Sequence, residues 1–206
     1  MKLLTLAALT LAALTSVALA DDGDDIRGAS KAEADAFDAR IYAGAPGKTA
    51  YTCFVRRYDA EHLARHPKQQ VATMKLLVSA ETYEADMQLH NSFRLGFRYR
   101  NRSGDFDSSG SCRHTVFTRE GTEVRLGCGV DCEGGGIGIA LSKDGKSVIV
   151  RLESIRVWLH NKPDDETERS LVAGSDDGIF RLERTDNSAC AALVTDRKEL
   201  AALRHK

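Results

Sequence analysis

The sequence predicts a mainly β protein, an antiparallel barrel or sandwich of about eight to ten strands with short N- and C-terminal helices. Three observations predict it. From residue 49 onward, apolar residues recur at every second position in one run after another. Two pairs of these runs form hairpins whose apolar faces coincide in a single register. Turn-forming residues separate the runs at short intervals. The composition agrees: 42% hydrophobic and 29% charged residues with only three prolines in 206 exclude a disordered or collagen-like chain.

Residues 1–20 read as a secretory signal peptide: Met1-Lys2, an apolar run from Leu3 to Leu14, then the small-x-small site Ala18-Leu19-Ala20 before Asp21-Asp22. The run is too short for a transmembrane span, and its Ala-rich, single-lysine form is bacterial in style. Residues 21–48 form an N-terminal segment whose Asp21–Arg27 stretch is expected to be loose. Ser30-Lys31-Ala32-Glu33 is a capping box that opens a helix from Lys31 to about Arg40. Ala43-Gly44-Ala45-Pro46-Gly47 turns the chain.

Residues 49–206 form a single β-rich domain ending in a helix. Ala50–Arg57 is a strand with Tyr51, Cys53 and Val55 on one face. Asp59 caps a short helical turn that Pro67 closes. Val71–Ser79 is a strand with Ala72, Met74, Leu76 and Val78 on one side. In Ser92–Arg100, Phe93, Leu95, Phe97 and Tyr99 alternate with Arg94, Gly96, Arg98 and Arg100, as in a sheet with one wet face. The first hairpin sets Cys112 opposite Cys128, His114 opposite Leu126 and Val116 opposite Val124, around Arg119-Glu120-Gly121. The second turns at Asp144-Gly145 and sets Leu141, Ile139 and Ile137 opposite Val148, Val150 and Leu152. Ile155–Leu159 makes a further strand, 161–170 an acidic loop, and Leu171–Ala173 and Gly178–Arg184 the last strands. Ser188–Lys206 reads as one terminal helix.

Five cysteines follow the leader: Cys53, Cys112, Cys128, Cys132 and Cys190. In an exported chain all five are disulfide candidates, with one left over. Cys112 pairs with Cys128 in the hairpin register, or with Cys132 if the glycines displace Cys128. Cys53 and Cys190 meet if a barrel closes first strand to last. The stretch Cys128-Gly129-Val130-Asp131-Cys132-Glu133-Gly134-Gly135-Gly136, with the late cysteine near Arg181-Leu182-Glu183-Arg184, resembles a group of small exported bacterial proteins of unassigned function. The resemblance implies export and a disulfide-stabilised β fold, and it carries no catalytic residue.

Net charge −1, from 29 basic and 30 acidic residues, excludes a general nucleic-acid binder. No nucleophile elbow, Ser-x-x-Lys pair or phosphate-cradling Gly-rich loop is present, so no catalytic residue is assigned and an enzyme is disfavoured. Arg94, Arg98 and Arg100 form a basic stripe that is the candidate binding surface. Asp105, Asp107 and Ser109 match half of a calcium loop, but position twelve is Val116; His62 and His66 have metal-ligand spacing without a third ligand. Neither pattern assigns a metal, and no cofactor is expected. Tyr51-Thr52-Cys53 resembles the opening of exported lysozyme inhibitors, whose later serine-glycine and lysine-glycine motifs are missing here. The sequence thus reads as a periplasmic or secreted, non-catalytic binding or inhibitory protein with an unknown protein or small-molecule partner. A small-ligand carrier barrel and an envelope-polymer hydrolase are the alternatives.

Overall fold

Ten strands and four short helical segments make up the computed structural model, which describes residues 25–204 except 84, 86, 120–121, 161, 163–168 and 173–175. The proposed leader, the tip of the first hairpin turn, most of the acidic loop and the last two residues lie outside the described residues. In chain order the elements are β1 (Ile26–Gly28), α1 (Lys31–Ile41), β2 (Thr49–Arg57), α2 (Ala60–Arg65), β3 (Val71–Thr82), β4 (Leu89–Tyr99), β5 (Phe106–Phe117), β6 (Glu123–Gly129), β7 (Gly135–Leu141), β8 (Ser147–Leu159), β9 (Arg169–Val172) and β10 (Ile179–Thr185). A 3-10 helix (Asn187–Leu193) and α3 (Arg197–Arg204) complete the chain.

Eight strands close an antiparallel barrel in the order β5-β4-β3-β2-β10-β8-β7-β6 and back to β5. The first and last strands of the ring, β2 and β10, pair directly, with Phe54 opposite Arg184. The two hairpins take the predicted registers: Cys112↔Cys128 and Val116↔Val124 in one, Leu141↔Val148 and Ile137↔Leu152 in the other. Strand β5 changes neighbours along its length. Phe106 and Asp107 pair with Leu159 and Trp158 of β8, and from Ser111 onward the strand pairs with β6. The β6–β7 hairpin is therefore a wedge between β5 and β8 at one end of the barrel.

Side chains fill the barrel. Phe54, Phe93, Phe106 and Phe180 are wholly buried with Met74, Leu76, Leu95, Leu126 and Ile139, and α1 adds Phe37 and Ile41 to the same core. The alternation that aims these residues inward is broken at the start of β3, where Val71 and Met74 both point in and the register against β4 shifts between Val71 and Thr73, and again in β8. Val148, Val150 and Leu152 point in, and then Ile155 and Val157 do, because the register against β7 shifts between Gly135 and Ile137.

A second apolar layer lies outside the ring. Cys53 and Leu77 sit on the outer faces of β2 and β3, covered by Cys190 and Val194 from the 3-10 segment and Leu203 of α3. Tyr51, Cys53 and Val55 thus belong to this outer layer, while Ala50, Thr52 and Phe54 belong to the interior.

Four local readings are corrected. The N-terminal stretch is not loose at its end, because Ile26–Gly28 pairs with Phe117–Thr115 of β5. The calcium-like Asp105–Gly110 segment is not a loop, because β5 begins at Phe106. Residues 147–159 form one strand rather than two. The terminal helix is two pieces: Val194 is extended, and the Asp196 carboxylate restarts the chain by accepting the N–H groups of Lys198 and Glu199, both at 2.9 Å.

The capping box forms as its residues require. Glu33 N–H donates to Ser30 Oγ, Ser30 N–H donates to Glu33 Oε2 (2.8 Å), and Arg27 grips the same carboxylate with two nitrogens at 2.7 and 3.0 Å. These bonds, the Arg27 fork first, hold the Glu33 carboxyl down at about 2. The folded pKa lies below the ordinary carboxylate value, so this contribution to the β1–α1 clasp is fully present above about pH 4.5. It is lost as pH falls from there through about 2. Hydrogen exchange across α1 should therefore accelerate over that window, and Glu33→Gln should remove the Glu33 part of that pH dependence. An unchanged acid profile in the variant would dismiss the clasp.

Candidate functional site

The register of four neighbouring strands assembles a polar cleft on the outside of the barrel. In one cross-strand row, Val55 lies opposite Lys75, Lys75 opposite Gly96, and Gly96 opposite Asp107. In the next, Arg57 lies opposite Thr73 and Thr73 opposite Arg98. Side chains of a row share a face, so these rows place Arg57, Lys75, Arg98 and Asp107 around a common hollow. Ala192 and Leu193 of the 3-10 segment wall one side, and His160, just beyond β8, lines another. The hollow has a volume of about 250 Å³.

Gly96 makes the fit possible. A Cβ there would lie 2.3 Å from Leu193 Cδ2, so the missing side chain is the notch that seats Leu193. Two further fasteners hold this segment against the barrel. The Cys53–Cys190 disulfide ties it to β2, and Arg94 of β4 forms a two-pronged bond with Glu199 of α3 at 2.6 and 3.1 Å.

His160 is oriented by Asp107: Nδ1 lies 2.7 Å from Asp107 Oδ2, and the His160 backbone N–H donates to the Asp105 carbonyl at 2.9 Å. A carboxylate on Nδ1 fixes the proton there and leaves Nε2 as the working nitrogen. Arg98 donates through Nε to Thr73 Oγ1 (3.3 Å) and lies 3.7 Å from Asp105. Arg57 and Lys75 have no ion-pair partner among the described residues. Three cations thus face two carboxylates, and one of those carboxylates is engaged by the imidazole. The only hydroxyl among the lining residues belongs to Thr73, and it is bonded by Arg98. A nucleophile bonded to His160 is not built into the lining.

A second histidine–carboxylate pair closes the other side of the barrel. His114 Nε2 lies 2.8 Å from Asp38 Oδ1, both largely buried, with Phe37 edge-on to the imidazole. Beside it Tyr42 donates to Asn91 Oδ1 at 2.6 Å, and burial, followed by the nearby Asp38 charge, pushes the phenol far up. Arg184 completes this clasp by donating to Ile41 O, Thr52 Oγ1 and Gly145 O at 2.7–2.8 Å. These bonds anchor α1 to the ring, and His114 is a satisfied packing residue there.

The remaining candidates separate. In the basic stripe, Arg94 is committed to Glu199, and Arg100 to the carbonyls of Leu63 and His66; Arg98 alone reaches the cleft. Asp105 and Asp107 face Arg98 and His160 instead of sharing an ion. His62 and His66 stack with ring centres 4.4 Å apart, and His62 Nε2 is 3.0 Å from Gln69 Oε1. Stacked rings send their in-plane lone pairs side by side, not to one point. Among the described residues, no group of three or more His, Cys, Asp or Glu is arranged to hold a metal ion. No helix among them is long and apolar enough to cross a membrane.

Disulfides join Cys53 to Cys190 and Cys112 to Cys128. Cys132 is a free, exposed thiol in a turn where it and Glu133 both take the left-handed conformation, φ 57° and 58°. Sequence reasoning missed His160, Lys75 and Arg57. His160 and Asp107 lie 53 positions apart, and only the short β5–β8 pairing brings them together. No spacing pattern signals that contact. Comparison with protein-family models, curated proteins and solved structures finds no match to the chain.

Proposed function

We propose that this is an exported, disulfide-stabilised, non-catalytic binding protein of the bacterial envelope that recognises its partner with the outside of its barrel. The observation that carries this reading is the packed interior. Four wholly buried phenylalanines and their aliphatic neighbours occupy the space that a carrier would leave open. The outer cleft, by contrast, presents two cations without ion-pair partners among the described residues. The hydrolase reading has less support, since the lining pairs no nucleophile with His160.

Two measurements on the full chain, expressed with residues 1–20, test it. Intact mass of the exported protein should begin at Asp21 and be four hydrogens lighter than its reduced form, with no adduct. Photocrosslinkers at Ala192, on the wall of the cleft, and at Arg151, on the outside of β8, should capture one defined partner from the Ala192 side only. Five free thiols, or a stoichiometric apolar adduct released on denaturation, would overturn the reading.

A further inference from the structure

We propose that the outer cleft is a phosphate site, in which Lys75, Arg57 and Arg98 bind the oxygens of a phosphate group and His160 Nε2 supplies a fourth donor when protonated. The proposal deepens the outer-face reading and rests on it. Its basis is the arrangement of donors. Arg57, Lys75 and Arg98 come from three adjacent strands and border the hollow, while His160 enters from beyond β8. One planar carboxylate is satisfied by a single guanidinium fork. A tetrahedral phosphate accepts bonds from several directions at once, as a ring of separate donors requires.

Charge favours the same class. Arg98 is partly offset by Asp105, Arg57 and Lys75 form no ion pair among the described residues, and the Asp107 carboxylate, bonded to His160, is the one lining charge set against them. With His160 neutral the lining carries a net single positive charge, and with His160 protonated a double one, which suits a group of one to two negative charges. Size is compatible as well: about 250 Å³ is the liquid volume of roughly eight waters. That is room for a phosphate and a small part of whatever bears it. The half-buried Lys75 beside the Leu193 wall places the charge partly out of water, where an ionic contact is screened less than on open surface.

The test is calorimetric titration of the oxidised full chain with inorganic phosphate and with glucose 6-phosphate, using acetate as the planar control. Both phosphates should bind, acetate should bind at least about tenfold more weakly, and Lys75→Met and Arg57→Met should each weaken phosphate binding about tenfold or more. Lys75 and Arg57 have no ion pair to lose among the described residues, so both variants should keep the parent's unfolding midpoint. Arg151→Met, on a different outer face, should bind as the parent does. Tighter binding of glucose 6-phosphate than of inorganic phosphate assigns the group to a larger molecule, and the reverse assigns free phosphate. Absence of binding up to about 10 mM phosphate, or binding undiminished in the Lys75/Arg57 double variant, would overturn the site. A partner still crosslinked from Ala192 would then leave the outer-face reading standing. Conversely, an apolar adduct in the exported protein would remove that reading without touching the phosphate titration.

Discussion

Replacing Cys53 and Cys190 together by alanine should cost more stability than replacing Cys112 and Cys128. The first bridge spans 137 positions and the second 16. A cross-link stabilises chiefly by restricting the unfolded chain, and loops of these lengths correspond to about 5 and about 3 kcal/mol in the chain-entropy account. Measured losses fall below such figures when the unfolded chain keeps some structure, so the order of the two variants is the firmer expectation. Topology reinforces it. Cys112 and Cys128 face each other across a hairpin that already holds them in register, whereas Cys53 and Cys190 fasten the C-terminal segment to the closing strand. Urea unfolding of the two double variants gives the comparison directly. Loss of the longer bridge should also loosen the Leu193 wall, detected as earlier proteolysis after residue 186 while the ring stays intact. An equal or larger loss for Cys112→Ala/Cys128→Ala would show that the hairpin, not the C-terminal strap, is where the chain needs its cross-link.

Gly110→Ala should cost about 3 kcal/mol or more, the upper range for a forced overpacking. A Cβ at this position would stand 1.9 Å from the Gly129 carbonyl oxygen and 2.8 Å from its carbon. Both are backbone atoms of the neighbouring strand, and no rotamer change relieves the contact. The clash falls beside Ser111↔Gly129, where β5 takes up β6 and the ring closes. Gly127→Ala, two residues before Gly129 on β6, is the matched control. Its Cβ would meet only the Thr115 side chain and the Arg113 carbonyl oxygen, all at ordinary contact distance, and the variant should stay within about 1 kcal/mol of the parent. Thermal unfolding of the pair decides the matter. Similar midpoints would mean that the seam has slack which the packing does not reveal.

These two cases also mark how far the sequence could be read. Both hairpin registers follow from alternation alone, because a one-residue slip would turn Val116, Leu126 or Ile139 out of the core. The Cys53–Cys190 bridge follows once closure is assumed, while the partner of Cys112 stays open in the sequence between Cys128 and Cys132 until the hairpin geometry decides for Cys128. The inward face of β2 is another matter. Tyr51, Cys53 and Val55 are as apolar as Ala50, Thr52 and Phe54, since the C-terminal strap buries the outer face too, and periodicity cannot rank two dry faces. The start of β5 is hidden for a related reason. Asp-Phe-Asp-Ser-Ser-Gly is poor in strand formers, and only its pairing with β4 and β8 keeps it extended. The cleft is least legible of all. Lys75, Arg98, Asp107 and His160 come from four places in the chain, and rows of a closed sheet, not a motif, bring them together.

The unpaired Cys132 has a consequence for the order in which the chain oxidises. Of the four other thiols, an unfolded chain offers Cys112 two at short range, Cys128 and Cys132 four residues further on. Closing the longer loop costs only about 0.2 kcal/mol more, so entropy hardly chooses between them. The choice falls to the hairpin, which sets Cys112 and Cys128 face to face. Early refolding should therefore populate a Cys112–Cys132 isomer. As β5 and β6 zip, the Cys128 thiolate attacks the Cys112 sulfur and expels Cys132 as a thiolate. The fifth cysteine then acts as a leaving group that lets the shorter cross-link correct itself without outside reductant. Cys132→Ser should abolish that isomer and leave the final bridges unchanged.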